Sequence, residues 1–142
     1  MSACVFRHQW RVTYAQCTLG NHVYYARYLE MLEAARGEFF RQLGASCLAL
    51  QQADTAFPVI GLALSYKAPA RYDDLLTIEL WLTELKGVRL TFGCRILNQE
   101  GVLLLEGETR HACASQDEKP KRPSKELIER LQVFLLPKSP GV

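Results

Sequence analysis

The chain has 142 residues, 49% apolar and 23% charged, which suits one water-soluble globular domain with a sizeable core. Lys and Arg outnumber Asp and Glu by 17 to 15, and a net charge of +2 argues against a dedicated nucleic-acid surface. Five cysteines, at positions 4, 17, 47, 94 and 113, form an odd set with no Cys-x-x-Cys, so reduced thiols in a cytoplasm fit better than a disulfide framework or a zinc site.

From the N-terminus, residues 5–15 alternate: Phe6, His8, Trp10, Val12 and Tyr14 share one face, Arg7, Gln9, Arg11 and Thr13 the other. That period predicts a half-buried strand. No run is apolar and long enough for a signal peptide or a membrane span. A loop, Gln16 to Asn21, leads into a stretch where Tyr25, Tyr28, Leu29, Leu32, Ala35, Phe39 and Leu43 recur at steps of three and four. They form one helical stripe, with Arg27, Glu30, Ala34 and Arg41 opposite and Gly44 as the stop. At ~1.5 Å per residue such a helix runs roughly 28 Å, enough to cross a small sheet.

Residues 45–57 have weak periodicity and read as a connection with room for a short helical turn. Strands follow at 58–68, 75–85, 89–97 and 102–114, separated by the Pro69–Asp74 loop, a tight Lys86-Gly87 turn and an Asn98–Gly101 turn. Ser124 caps a last helix over 125–134, after which a Pro/Gly tail is expected to fray from about residue 135. The whole chain, 1–142, reads as a single domain with no internal repeat, phosphate-binding glycine loop or metal-ligand spacing. The order predicts an α+β fold in which an antiparallel sheet of about five strands wraps around one long helix, with a short helix at the C-terminus. Trp81, Leu75 and Leu85 fall on the sheet face away from that helix, and a homodimer would cover them.

Four segments now resemble the hotdog-fold acyl-CoA thioesterases of the 4-hydroxybenzoyl-CoA and YbgC-like branch. Arg11-Val12-Thr13-Tyr14 is similar to that family's entry strand. The run from His22 to Leu29, followed by Glu33-Ala34-Ala35-Arg36, is similar to its turn and helix. Tyr66-Lys67-Ala68-Pro69-Ala70-Arg71-Tyr72-Asp73-Asp74 and Lys86 to Phe92 resemble its loop and central hairpin. The resemblance spans nearly the whole chain and implies the hotdog fold, paired as a homodimer with two sites at the interface and often stacked into a homotetramer. It implies hydrolysis of an acyl or aroyl thioester of coenzyme A or of an acyl-carrier protein, with no cofactor beyond the coenzyme A of the substrate and no metal.

For the chemistry, the resemblance maps the oxyanion-polarising donor to the backbone N–H of Tyr25, where a helix start offers free donors and a positive dipole end. The family's loop acid falls on Thr18, and the acid often found two positions earlier falls on Gln16; neither is a carboxylate. Three replacements are open. Glu33 lies two turns into the helix at the border of the stripe, where partial burial would raise its pKa toward base duty. His22 has a suitable titration range. Thr18 and Arg36 together are similar to an arrangement in the enediyne polyketide thioesterases, with Thr18 positioning water and Arg36, pointing into the stripe, carrying charge. Asn21, Tyr24, Lys67, Arg71 and Arg89 are candidate substrate contacts, the cations with Lys119 and Lys121 for coenzyme A phosphates or an acyl-carrier protein. The contrasting expectation is an acyl-thioester-binding protein with little turnover, because Thr18 stands where the acid would be.

Overall fold

The computed structural model describes residues 4–137. Strands β1 (Phe6–Arg11), β2 (Val59–Tyr66), β3 (Leu75–Lys86), β4 (Arg89–Leu97) and β5 (Leu103–Ala112) form one antiparallel sheet in the order β1-β3-β4-β5-β2. Helix α1 (Arg27–Gln42) lies against one face, α2 (Cys47–Gln52) follows it, and α3 (Lys125–Gln132) comes last. This is the hotdog arrangement.

The helical stripe buries Tyr28, Leu32, Ala35 and Phe39, widened by Met31 and Phe40. It packs on the inward residues of β3 (Leu76, Ile78, Leu80, Leu82) and β4 (Leu90, Phe92, Cys94, Ile96), all buried. Phe39 is the hub: its ring sits edge-on to Phe6, Phe40, Phe92 and Phe134 at centroid distances of 5.5, 5.4, 5.2 and 4.9 Å. The helix begins at Arg27, two residues later than the stripe predicts, which leaves Tyr25 outside it and exposed; Leu29, inside the helix, is exposed as well.

Three differences from expectation have local causes. β1 stops at Arg11 because Gln16 Oε1 accepts from both Thr13 N (2.9 Å) and Trp10 Nε1 (3.0 Å), folding the chain into a turn that leaves Tyr14 exposed. The connection after α1 does contain a helix, but α2 buries none of its six residues and so carries no apolar period. Trp81 does not wait for a second chain: it is 2% exposed. Its indole lies over Gly93, its partner on β4, where any Cβ would collide with the ring. The Arg95 guanidinium, held by Glu79 at 2.8 Å, stands 5.3 Å from the ring centre.

The uncovered apolar surface lies instead on β2, an edge strand that exposes Val59, Ile60, Leu62 and Tyr66. A bulge between Val59 and Gly61 breaks its strict alternation. Of the expected tail, Leu135 and Leu136 run beside β3 just beyond the start of β1, with Leu82 N donating to Phe134 O (2.9 Å) and Leu136 N to Leu82 O (2.7 Å). Residues 138–142 of that tail lie outside the described residues. Among the described residues no helix is long and apolar enough to cross a membrane.

Candidate active site

The loop before α1 is tied down by backbone and side-chain bonds that use up several candidate residues. Thr18 N donates to His22 O (2.7 Å), and Thr18 Oγ1 is shared between Leu19 O (3.2 Å) and His22 O (3.1 Å). Asn21 adopts φ 61°, the left-handed region that asparagine tolerates, and its Oδ1 accepts from Tyr72 N at 3.0 Å. Gln16, buried, has its side-chain amide oxygen committed to Thr13 N and Trp10 Nε1. Thr18, Asn21 and Gln16 therefore hold the turn.

Next come the donors of the helix start. Val23 N reaches Ala70 O (2.9 Å) and Tyr24 N reaches Gln16 O (3.0 Å). The Tyr25 N–H meets no acceptor among the described residues. The Tyr25 carbonyl is also turned out of the helix: it accepts from Tyr66 Oη at 2.9 Å, while Leu29 N donates to Ala26 O at 3.2 Å. Beside it the buried Tyr28 hydroxyl accepts from Ala70 N at 3.0 Å, and burial raises that phenol's pKa. A cleft of about 340 Å³ opens at this point, lined by His22, Tyr25, Tyr28, Tyr66 and Lys67. His22, Tyr25 and Lys67 are thus brought together, with Tyr24 packed ring to ring on Tyr25 at 4.7 Å.

A larger groove of about 1270 Å³ runs between α1 and β2. Glu33, Arg36 and Phe40 line it from the helix, Val59 and Leu62 from the strand, and Thr109 from the sheet below. Glu33 is exposed in the single chain, so the expected partial burial is absent there. Arg36 is half-buried and makes no hydrogen bond or ion pair among the described residues. Burial lowers its pKa, opposed by the Glu33 carboxylate and by Cys94. The pKa of the Cys94 thiol behind it is pushed up to about 12, mainly by burial, which disfavours the thiolate.

Tyr25 sits two residues before α1 and Glu33 eight residues further along the chain, ~12 Å at the helical rise, with Arg36 ~16 Å away. One chain cannot bring the Tyr25 N–H and either side chain to the same carbonyl. The candidate cations are scattered too. Lys67 and Arg71 stand at the Tyr25 end, Lys67 loosely paired with Glu106 at 3.8 Å and Arg71 exposed. Arg89 pairs with Ala112 at the opposite end of the sheet. Lys121 is otherwise engaged: its Nζ donates to Ala53 O and Asp54 O, both at 2.9 Å, closing the end of α2.

Two groups were not singled out from the sequence as functional. Tyr66 holds the Tyr25 carbonyl, a contact between residues 41 apart that no local pattern announces. Thr109 and His111 form a buried polar pair on β5, Thr109 Oγ1 2.9 Å from His111 Nε2. Their signal was a Thr-x-His on the inward face of an otherwise apolar strand period.

Residues 20–105 match the sequence model of the thioesterase superfamily. The acyl-CoA thioester hydrolase YbgC of Escherichia coli is 39% identical over 113 residues, covering 80% of this chain and 84% of that protein. A probable thioesterase from Bartonella henselae superposes with a TM-score of 0.80 at 30% identity, over 85% of this chain and 100% of that one. The dynemicin thioesterase shares the fold, with a TM-score of 0.86 at 20% identity over 94% of this chain and 99% of that one. The match begins at the Gly20 turn and takes in α1, the groove strand β2 and the central hairpin, and the chain belongs to the thioesterase superfamily.

Proposed function

We propose that the chain hydrolyses acyl or aroyl thioesters of coenzyme A at a site that two copies complete. One observation carries the reading: a bare N–H at the start of α1 and a charged groove two to three turns along the same helix, with an open strand edge beside both. Antiparallel pairing of β2 with a second copy's β2 sets the Tyr66 end of one strand against the Val59 end of the other. The Tyr25 N–H of one copy then faces the Glu33 and Arg36 groove of the other.

In that arrangement the Tyr25 N–H donates to the thioester carbonyl oxygen and stabilises the oxyanion as it forms. Glu33 of the second copy takes a proton from water, whose oxygen attacks the carbonyl carbon. The tetrahedral intermediate collapses, the C–S bond breaks, and the coenzyme A thiolate leaves and is protonated. Arg36 lends positive charge to the oxyanion side of the groove. His22 is the second candidate base, already in the cleft with Tyr25. Tyr24, Lys67 and Arg71 lie on the approach used by the pantetheine and phosphates, Arg89 enters from the other copy's end, and Asn21 acts by holding the turn. A homodimer in the cytoplasm follows as the working unit, with stacked dimers as the larger form.

The test is a hydrolysis screen over acyl-CoA chain lengths, aroyl-CoAs and acyl-carrier-protein thioesters. Turnover of a coenzyme A thioester by the dimer, lost in Tyr25→Pro, is the expected result. Tight binding of every thioester with no turnover would replace this reading by that of a binding protein, which the hydroxyl of Thr18, spent on the loop's own carbonyls, favours.

A further inference from the structure

The groove has a polar floor for which the proposed mechanism has no use. Thr109 and His111, two residues apart on β5, share the face beneath α1 and are 3% and 2% exposed. His111 Nδ1 lies 3.0 Å from the Phe57 carbonyl oxygen, and Nε2 lies 2.9 Å from Thr109 Oγ1. A carbonyl oxygen only accepts, so the single proton of the neutral ring sits on Nδ1. Burial, with Arg36 from α1 acting in the same sense against the bond from Phe57, lowers the ring's pKa and keeps it neutral. Nε2 is then a lone pair, and the Thr109 hydroxyl must donate to it.

The hydroxyl proton of Thr109 is therefore spent, while the oxygen keeps lone pairs with no donor among the described residues. This oxygen lines a groove whose walls include the apolar Phe40, Val59 and Leu62 along with Glu33 and Arg36. We propose that Thr109 Oγ1 is a fixed hydrogen-bond acceptor that makes the groove select acyl chains carrying a hydroxyl, with His111 as the positioning residue that forbids Thr109 from acting as a donor. The proposal rests on the reading of the groove as the acyl pocket. An apolar groove alone discriminates in the other direction, since an unpaired hydroxyl loses its water on entry.

The experiment compares hexanoyl-CoA with its 3-, 4-, 5- and 6-hydroxy isomers as substrates, and the corresponding non-hydrolysable thioethers as calorimetric ligands. At least one hydroxylated isomer is expected to exceed the plain chain by ~10-fold in kcat/KM, in line with one well-made hydrogen bond. The ratio should invert in Thr109→Val and return in Thr109→Ser. A wild type that prefers plain hexanoyl-CoA over all four isomers overturns the inference while leaving thioester hydrolysis intact. If nothing turns over, the proposed activity falls, and the same ratio read from thioether binding still decides about Thr109. Side-chain nitrogen shifts, assigned through His111→Gln, give a separate check: a proton on Nε2 of His111 would also sink it.

Discussion

Glu33 and Thr18 make opposite demands on the same reaction, and single substitutions separate them. With Glu33 as base, Glu33→Gln should lose ~10²–10⁴ in kcat while thioester binding survives, and His22→Ala should cost much less. With charge and water positioning alone at work, Arg36→Met and Thr18→Ala lose rate and Glu33→Gln stays active. Thr18→Asp, which supplies the missing loop carboxylate, should raise hydrolysis once the side chain leaves the turn. His111 gives a second residue-scale expectation, in stability. Its folded pKa lies below the ordinary 6.5, so between those values the unfolded chain binds the extra proton. Stability should therefore fall as pH drops below 6.5 and level off once the folded ring also titrates; urea midpoints from pH 7.5 to 4.5 should show His111→Gln with a shallower fall than wild type. At this scale the sequence was least informative. Residue types alone gave the candidates, but the bond from Tyr66 to the Tyr25 carbonyl joins segments 41 residues apart, which no local pattern encodes.

Elements were far more legible. The 3.6-residue stripe of α1, the period of two in β3 and β4, and the Lys86-Gly87 and Asn98–Gly101 turns all express local backbone preferences, and their strands fall within a few residues of expectation. α2 escaped because a helix that buries nothing leaves no apolar period, and Ser46, whose Oγ accepts from Ala49 N at 3.2 Å, was its one local mark. The start of α1 is where element and chemistry meet. Tyr25→Pro removes the bare N–H without breaking a hydrogen bond, so the fold should persist while kcat drops on the order of 10²–10³. Tyr66→Phe releases the Tyr25 carbonyl and should lower kcat by a smaller factor, about 10-fold, with little change in KM. An unaffected rate in a folded Tyr25→Pro variant, by circular dichroism, would remove this donor from the mechanism.

For the whole molecule, the reason to expect pairing lies at the β2 edge and not at the Trp81 face, because Gly93 seats the indole within the chain. Ala63, exposed near the centre of β2, is the place to test it. Two copies pairing about that point would bring introduced charges together, so Ala63→Asp should give a folded monomer by light scattering and lose turnover with the partner. A variant that stays dimeric at micromolar concentration would put the interface elsewhere. The two margins of the sheet differ in one further way. β2 offers an apolar edge, whereas β1 is six residues long and turns Arg7, Gln9 and Arg11 to solvent, and its two arginines discourage a neighbouring strand. A molecule with two sticky margins would add copies without end and grow into fibres. With one margin guarded, a two-fold pairing at β2 would use up the apolar strand edge found among the described residues, and growth along the sheet would terminate after a single addition.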